Sequence, residues 1–334
     1  MSEHQKKVAL QPENVLLLSL SGSRARQLNK VDSDYDYRGV FTLPVGYDWM
    51  LDESALDHFK GEGEDETYDH VRKYCKLLVK PSPEHHETLW VTPKQATWAG
   101  HMLRSLRWRL TSKKLAYKFA VAAGLLEVER VDEYLQSDKR NFASLGKGGL
   151  VNRGVKYYRK ARNADNSEDR ALYTHESNKA LMDTVRRLMV AVEMLRCHDL
   201  SADFDQTDLN ALPAWRKVYG LFGDSDVDYM DEGWLFNPDF DSTLSVVLPE
   251  AQRKQLMRMR NGDMEYELML VERNWWLNVY HEEMQASRLK EEMDVKPLQY
   301  FLQYMSTAQD AWRRGVEQMK AGEAQSAKLS PFWE

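Results

Sequence analysis

Three short stretches of this chain carry residue types that could do chemistry together. Gly22-Ser23 follows the apolar run Val15 to Leu20, and after ten intervening residues come Asp34 and, two positions on, Asp36. An uncharged six-residue run reads as a strand buried on both faces, at the centre of a sheet. Gly22 lets the chain turn and approach a bound group, while the Ser23 hydroxyl and the amides of a short helix over 24–28 can hold phosphate oxygens. A second strand over 35–41 points Asp34 and Asp36 to one side, because side chains alternate along a strand. Two carboxylates so placed can share a pair of hard divalent cations bridging a triphosphate.

The chain contains its own control. Residues 224–229 nearly repeat the hexapeptide 32–37, but no Gly-Ser and no buried strand precede them. Tyr229 and Leu235 stand where a calcium loop needs Gly and Glu, so this copy reads as an acidic loop. A third acid on a strand beside Asp34 and Asp36 would serve as proton acceptor for an attacking hydroxyl or as a metal contact. The sequence predicts that strand over 64–68, which selects Asp65. Asp69 then falls where an N-cap belongs, ahead of a helix marked by Val71, Tyr74, Cys75 and Leu78 and ended by Pro81 and Pro83. His85 and His86, read as adjacent on a strand, face opposite ways and do not suggest a metal site.

Gly22-Ser23, ten residues, then Asp34-x-Asp36 resembles the signature of the DNA polymerase beta nucleotidyltransferase superfamily. The longer match over 22–41 resembles one branch, the predicted nucleotidyltransferases of bacteria and large phages that include RNA-repair-associated proteins. Asp65-x-Thr67-Tyr68 continues the resemblance, with Asp65 matching the third carboxylate and Glu87 a recurring family acid. The helix around 177–198 is similar to the family's Lys-x-x-x-His-x-x-Arg-Leu helix, with Asp183 in place of the His. Relatives often carry Gly where this chain has Gln27.

The resemblance implies an α+β fold: a nucleotidyltransferase domain with a small mixed sheet over 1–97, then a mainly helical domain over 98–330 that closes over it. It implies transfer of a nucleoside monophosphate from a nucleoside triphosphate to an acceptor hydroxyl. Asp34, Asp36 and Asp65 would hold two Mg²⁺, or Mn²⁺ in their place, and carry catalysis. Gly22, Ser23 and Arg24 would bind the nucleotide together with Lys179 and Arg186, which share a helix face seven residues apart. An RNA or tRNA 3′ end is the expected acceptor; a protein or small-molecule hydroxyl, or a vestigial binding module, are the alternatives.

Composition bounds the rest. The 334 residues carry a net charge of −6, with 29% charged and 43% hydrophobic residues, as in soluble globular proteins. No apolar run approaches a membrane span and the N-terminus lacks the apolar stretch of a signal peptide, so a cytoplasmic protein with no membrane partner is expected. Cys75 and Cys197 are expected to be reduced thiols. The acidic total hides a basic middle: residues 101–162 hold fifteen Lys and Arg against five Asp and Glu, about +10. Within it Lys156, Arg159 and Lys160 alternate with Tyr157 and Tyr158, a pattern suited to nucleic acid, although a solvated helix face has the same composition. Helical patterns dominate from Lys94: a stretch over 98–131, the amphipathic helix over 177–198, then 250–289 and 298–319. Residues 42–63, 163–170 and 199–249 read as mostly irregular.

Overall fold

The computed structural model describes residues 9–11, 14–31, 33–43, 58–61, 65–125, 149–196, 248–303 and 305. Five strands form one mixed sheet in the order β3-β4-β2-β1-β5. β1 (Val15–Leu20) lies inside it, antiparallel to β2 (Tyr37–Phe41) on one side and to β5 (Pro93–Ala96) on the other. Its uncharged sequence suits that place, since Leu16 and Leu17 pack into one core cluster while Val15 and Leu18 pack into another. The fold is therefore α+β, with a small sheet in the N-terminal part followed by a mostly helical region.

β4 (Glu66–His70) runs parallel to β2, with Tyr37 opposite Glu66 and Phe41 opposite His70. The strand predicted over 64–68 thus starts and ends two residues later. Helix α2 (Val71–Val79) has the expected buried face of Val71, Tyr74, Cys75 and Leu78, but its N-cap is His70, so the assignment of Asp69 as the cap is corrected. Apolar periodicity locates a helix face without locating its first turn. Asp69 is instead a buried strand residue. β3 (His58–Lys60), in a stretch expected to be mostly irregular, pairs with β4 and supplies the sheet edge.

Helix α3 (Pro83–Trp90) replaces the expected strand around His85 and His86. Pro83 opens it, because a proline at the first helical turn gives up only an amide that would have no partner there. The helical stretch expected from 98 is broken among the described residues. α4 (Trp98–Ser105) passes into a 3₁₀ turn at Leu106–Trp108, and α5 (Lys113–Ala123) restarts with the Ser112 hydroxyl accepting from the Leu115 amide.

Helix α7 (Ser167–Arg196) organises the second part of the molecule, packing against α5, α6 (Gly149–Arg162), α8 (Glu250–Asn261) and α9 (Tyr266–Ala286). It begins ten residues earlier than expected, where Asn166 Oδ1 accepts from the Asp169 amide at 2.7 Å. Leu181, Val185, Leu188, Val192 and Leu195 are fully buried along it; each such side chain stabilises the fold by about 1.5–3 kcal/mol. The single helical stretch expected over 250–289 is two helices, parted where Gly262 adopts a left-handed conformation after α8. Residues 296–303 are helical. The repeat at 224–229, Cys197 and most of 199–249 lie outside the described residues.

Candidate functional site

Parallel pairing of β2 with β4 places two acids side by side. Asp36 and Asp65 each precede the first paired residues, Tyr37 and Glu66, and the Tyr37 amide donates to the Asp65 carbonyl at 3.1 Å. Just past the end of the neighbouring strand β1, the Ser21 amide donates to the Asp36 carbonyl at 2.8 Å. Asp65 takes a φ of +56°, in the left-handed region that Asp tolerates better than most side chains.

Gly22 is needed here for two reasons. Its φ is +66°, and a Cβ on it would lie 2.0 Å from Asp36 Oδ2. The carboxylate therefore packs directly over the glycine backbone, which no other residue allows. α1 (Gly22–Ala25) follows, shorter than the helix expected over 24–28, and Gln27 turns the chain with a φ of +54°. A glycine would adopt that conformation without strain.

Burial, reinforced by the charges of Asp65 and Asp34, raises the Asp36 carboxyl above its usual range, and Arg26 and Lys179 offset this only in part. Asp36 faces two cavities of about 310 Å³ each. One is shared with Ser23, Ser33, Asp34, Lys179 and Arg260. The other is shared with Asp65, Thr67, Arg38, Glu84 and Arg187. Gly22 and Arg26 belong to both.

Two of the expected nucleotide ligands have partners within the protein. Arg24 donates through Nε to the Ser33 carbonyl at 2.8 Å and through Nη2 to the Val31 carbonyl at 3.3 Å, and it stacks on the Tyr35 ring. It shapes the loop that carries Asp34. Arg186 is fully buried, with Nη1 donating to Glu87 at 2.6 Å and Nε to Asp183 at 2.6 Å. The Lys179 and Arg186 pair is thus divided: both line the first cavity, but only Lys179 has no carboxylate partner among the described ion pairs.

Glu87 has a definite place in this arrangement. It also accepts from Arg26 at 2.5 Å, which ties the loop after α1 to α3 and α7. Burial alone would raise its carboxyl, but the guanidiniums of Arg186, Arg26 and Arg187 outweigh burial and hold it at about 2. Asp183 joins Arg186 to Arg187, whose Nε donates to it at 3.1 Å. Asp69 forms a second buried centre, with Lys73 at 3.0 Å, His58 at 2.9 Å, His85 at 3.2 Å and Arg38 at 3.5 Å. Burial opposes ionisation there too, and hydrogen bonds from His85, Lys73 and His58 overcome it, keeping the carboxyl far below its usual range.

Sequence reasoning did not single out Arg26, Arg38, Arg187 or Arg260. Arg260 reaches from α8 to the Leu28 carbonyl, and its Nη2 lies 3.5 Å from Ser33 Oγ. It lies in the run 259–265 that resembles the family's C-terminal region, but its partners lie more than two hundred residues away, so local spacing does not show what it touches. Around the same rim, burial and the charges of Lys30, Lys179 and Arg260 lower the His175 imidazole, against a smaller upward pull from Glu176. On α6, Lys156 and Lys160 are exposed and Arg159 is half-buried, and the Lys160 ammonium lies 5.5 Å from the Tyr157 ring and 5.1 Å from the Tyr173 ring. Cys75 is a buried thiol, pushed up to about 12 by burial. No described helix is long and apolar enough to cross a membrane.

The acids suit a hard cation, since the charges of Asp65 and Asp34 act on Asp36 and Arg26 and Lys179 offset them only in part. Among the described residues no three carboxylate, imidazole or thiol groups gather around one point. Mg²⁺ fits such a donor set, because it commonly takes one or two carboxylates and completes its shell with water and substrate phosphates. No curated protein matches the chain. A family model does match, over residues 1–201, which include the sheet, both cavity-lining acid pairs and α7. The chain belongs to the RNA repair pathway DNA polymerase beta family, RlaP, a polymerase-beta-like nucleotidyltransferase family associated with RNA repair.

Proposed function

We propose that the protein transfers a nucleoside monophosphate from a nucleoside triphosphate to the 3′ hydroxyl of an RNA. The observation that carries this is the position of Asp36 between two cavities, facing Asp34 in one and Asp65 in the other. A substrate in each would meet at the acids. The triphosphate occupies the first, with phosphate oxygens on Ser23 and the Gly22 loop and charge offset by Lys179. The acceptor occupies the second. Asp65 takes the proton of its hydroxyl, the oxygen bonds to the α-phosphorus, and the bond from that phosphorus to the bridging oxygen breaks, releasing pyrophosphate. Mg²⁺ held by Asp34 and Asp36, with Asp65 beside them, would supply neutralisation of the phosphate charge.

The basic and aromatic face of α6 favours RNA as the acceptor, with Lys156, Arg159 and Lys160 following its backbone. The test is incubation with each α-labelled triphosphate, Mg²⁺, total RNA and total protein. Label is expected in RNA, and is expected to vanish in the Asp34→Ala, Asp36→Ala double variant. Reversing Lys156, Arg159 and Lys160 to Glu should weaken RNA binding and flatten its salt dependence. Label in protein alone, or transfer that survives in the double variant, would overturn the proposal.

A further inference from the structure

The second cavity contains a feature that nucleotidyl transfer by itself does not require. Two arginines face one carboxylate across its wall: Arg38 Nη2 lies 3.6 Å from Glu84 Oε2, and Arg187 Nη2 lies 3.9 Å from Glu84 Oε1. Both distances exceed those of a good hydrogen bond. The Glu84 side chain is 57% exposed, whereas those of Arg38 and Arg187 are 19% and 11% exposed.

The two guanidiniums are held from behind. Arg38 Nη1 lies 3.5 Å from the buried Asp69 carboxylate, which anchors it. Arg187 donates through Nε to Asp183. Their positions are therefore set by partners deeper in the protein, while Glu84 sits loosely in front. A largely exposed ion pair at such distances contributes little, so its carboxylate can leave at low cost. Two fixed guanidiniums converging on one exposed anion describe a phosphate site, since several guanidinium N–H donors match the oxygens of a phosphodiester.

We propose that Arg38 and Arg187 bind a phosphate of the acceptor strand, and that Glu84 occupies this position in the free protein and gives it up when the strand arrives. The inference rests on the transfer reading and deepens it by naming the acceptor's chemistry. The same cavity holds Asp65, so the phosphate site and the attacking hydroxyl share one space. A 3′-terminal nucleotide carries a phosphodiester within one nucleotide of its hydroxyl. A serine or tyrosine hydroxyl on an unmodified peptide carries none.

The test measures binding of a 5′-phosphorylated RNA trinucleotide with a free 3′ hydroxyl, in the absence of triphosphate and divalent ion. Because no transfer can occur, its outcome is independent of whether nucleotidyl transfer is ever observed. Glu84→Gln removes the competing charge and should tighten binding roughly twofold to fivefold, the size of a weak exposed ion pair. Arg187→Gln should weaken it by about tenfold or more, the loss of a charged hydrogen bond. A phosphate-free nucleoside should respond to neither change. Opposite signs in the two variants separate a displaced anion from a structural contact, and the exposed Glu84 variant decides the matter even if Arg187→Gln fails to fold. Glu84→Gln binding the trinucleotide no better than wild type would overturn the proposal. So would a gain for ATP with no gain for RNA, which would assign the arginines to the triphosphate.

Discussion

Replacing Gly22 by Ala tests whether this glycine exists to seat the Asp36 carboxylate. Two costs add. A φ of +66° places Ala in the left-handed region, at about 1–2 kcal/mol. The new Cβ also lies 2.0 Å from Asp36 Oδ2 and 3.0 Å from its Cγ, an overlap of the kind that costs about 1–3 kcal/mol to relieve. The expected loss is about 2–5 kcal/mol in the natural background. With Asp36 cut back to Ala, the nearest remaining atom of that residue is its Cβ at 3.4 Å, an ordinary contact. Only the conformational cost of about 1–2 kcal/mol should then persist. Urea unfolding of wild type, both single variants and the double variant measures the difference as a coupling energy. Transfer should fall in Gly22→Ala even where the protein is folded, because the carboxylate has been pushed from its place. An equal cost of Gly22→Ala in both backgrounds would refute the reasoning.

Two further outcomes follow from the buried carboxylates. Glu87 titrates at about 2 in the folded protein against an ordinary 4.5, so it contributes stability above about pH 4.5 that is lost as pH falls toward 2. Glu87→Gln should cost about 3–5 kcal/mol at neutral pH, the usual penalty for removing one partner of a buried ion pair, and should flatten acid unfolding in that window; an unchanged acid slope would assign the stability elsewhere. Asp69→Asn should likewise destabilise by about 3–5 kcal/mol, because four cationic or imidazole groups lose their shared negative charge and an amide nitrogen replaces one acceptor oxygen. Asp65→Asn should leave unfolding nearly unchanged yet lower transfer by roughly two to four orders of magnitude. A stable but inactive Asp69→Asn together with an Asp65→Asn of full activity would show that the two roles are reversed.

Much of the first half was legible in the chain itself. The run Val15 to Leu20 has no charge to place in water, so it becomes an interior strand, and Gly22 marks a close approach that only a missing side chain permits. The helix over 71–79 followed from four apolar residues at helical spacing. The same periodicity could not settle where the preceding strand ended, and Asp69 was misplaced because a cap and a strand-end acid look alike until their partners are seen. The broken helix after Trp98 had the same cause: apolar residues on both sides of Ser112 keep a helical rhythm, and only packing shows that the chain turns between them.

The sequence alone determined the local chemistry: a glycine-serine turn, acids at strand spacing, and a helix with one apolar face. These depend on covalent geometry and on neighbours within a few residues. Tertiary structure decided which charges are available to a substrate. Arg24, Lys179 and Arg186 are equally cationic in the sequence, yet Arg24 is bound to backbone carbonyls, Arg186 is buried between Glu87 and Asp183, and Lys179 lines the cavity with no described carboxylate partner. Arg260 comes to the same cavity from α8. The physical reason is that a charge is neutralised by whatever lies within a few ångströms of it, and those neighbours are brought together by the fold from positions tens to hundreds of residues apart.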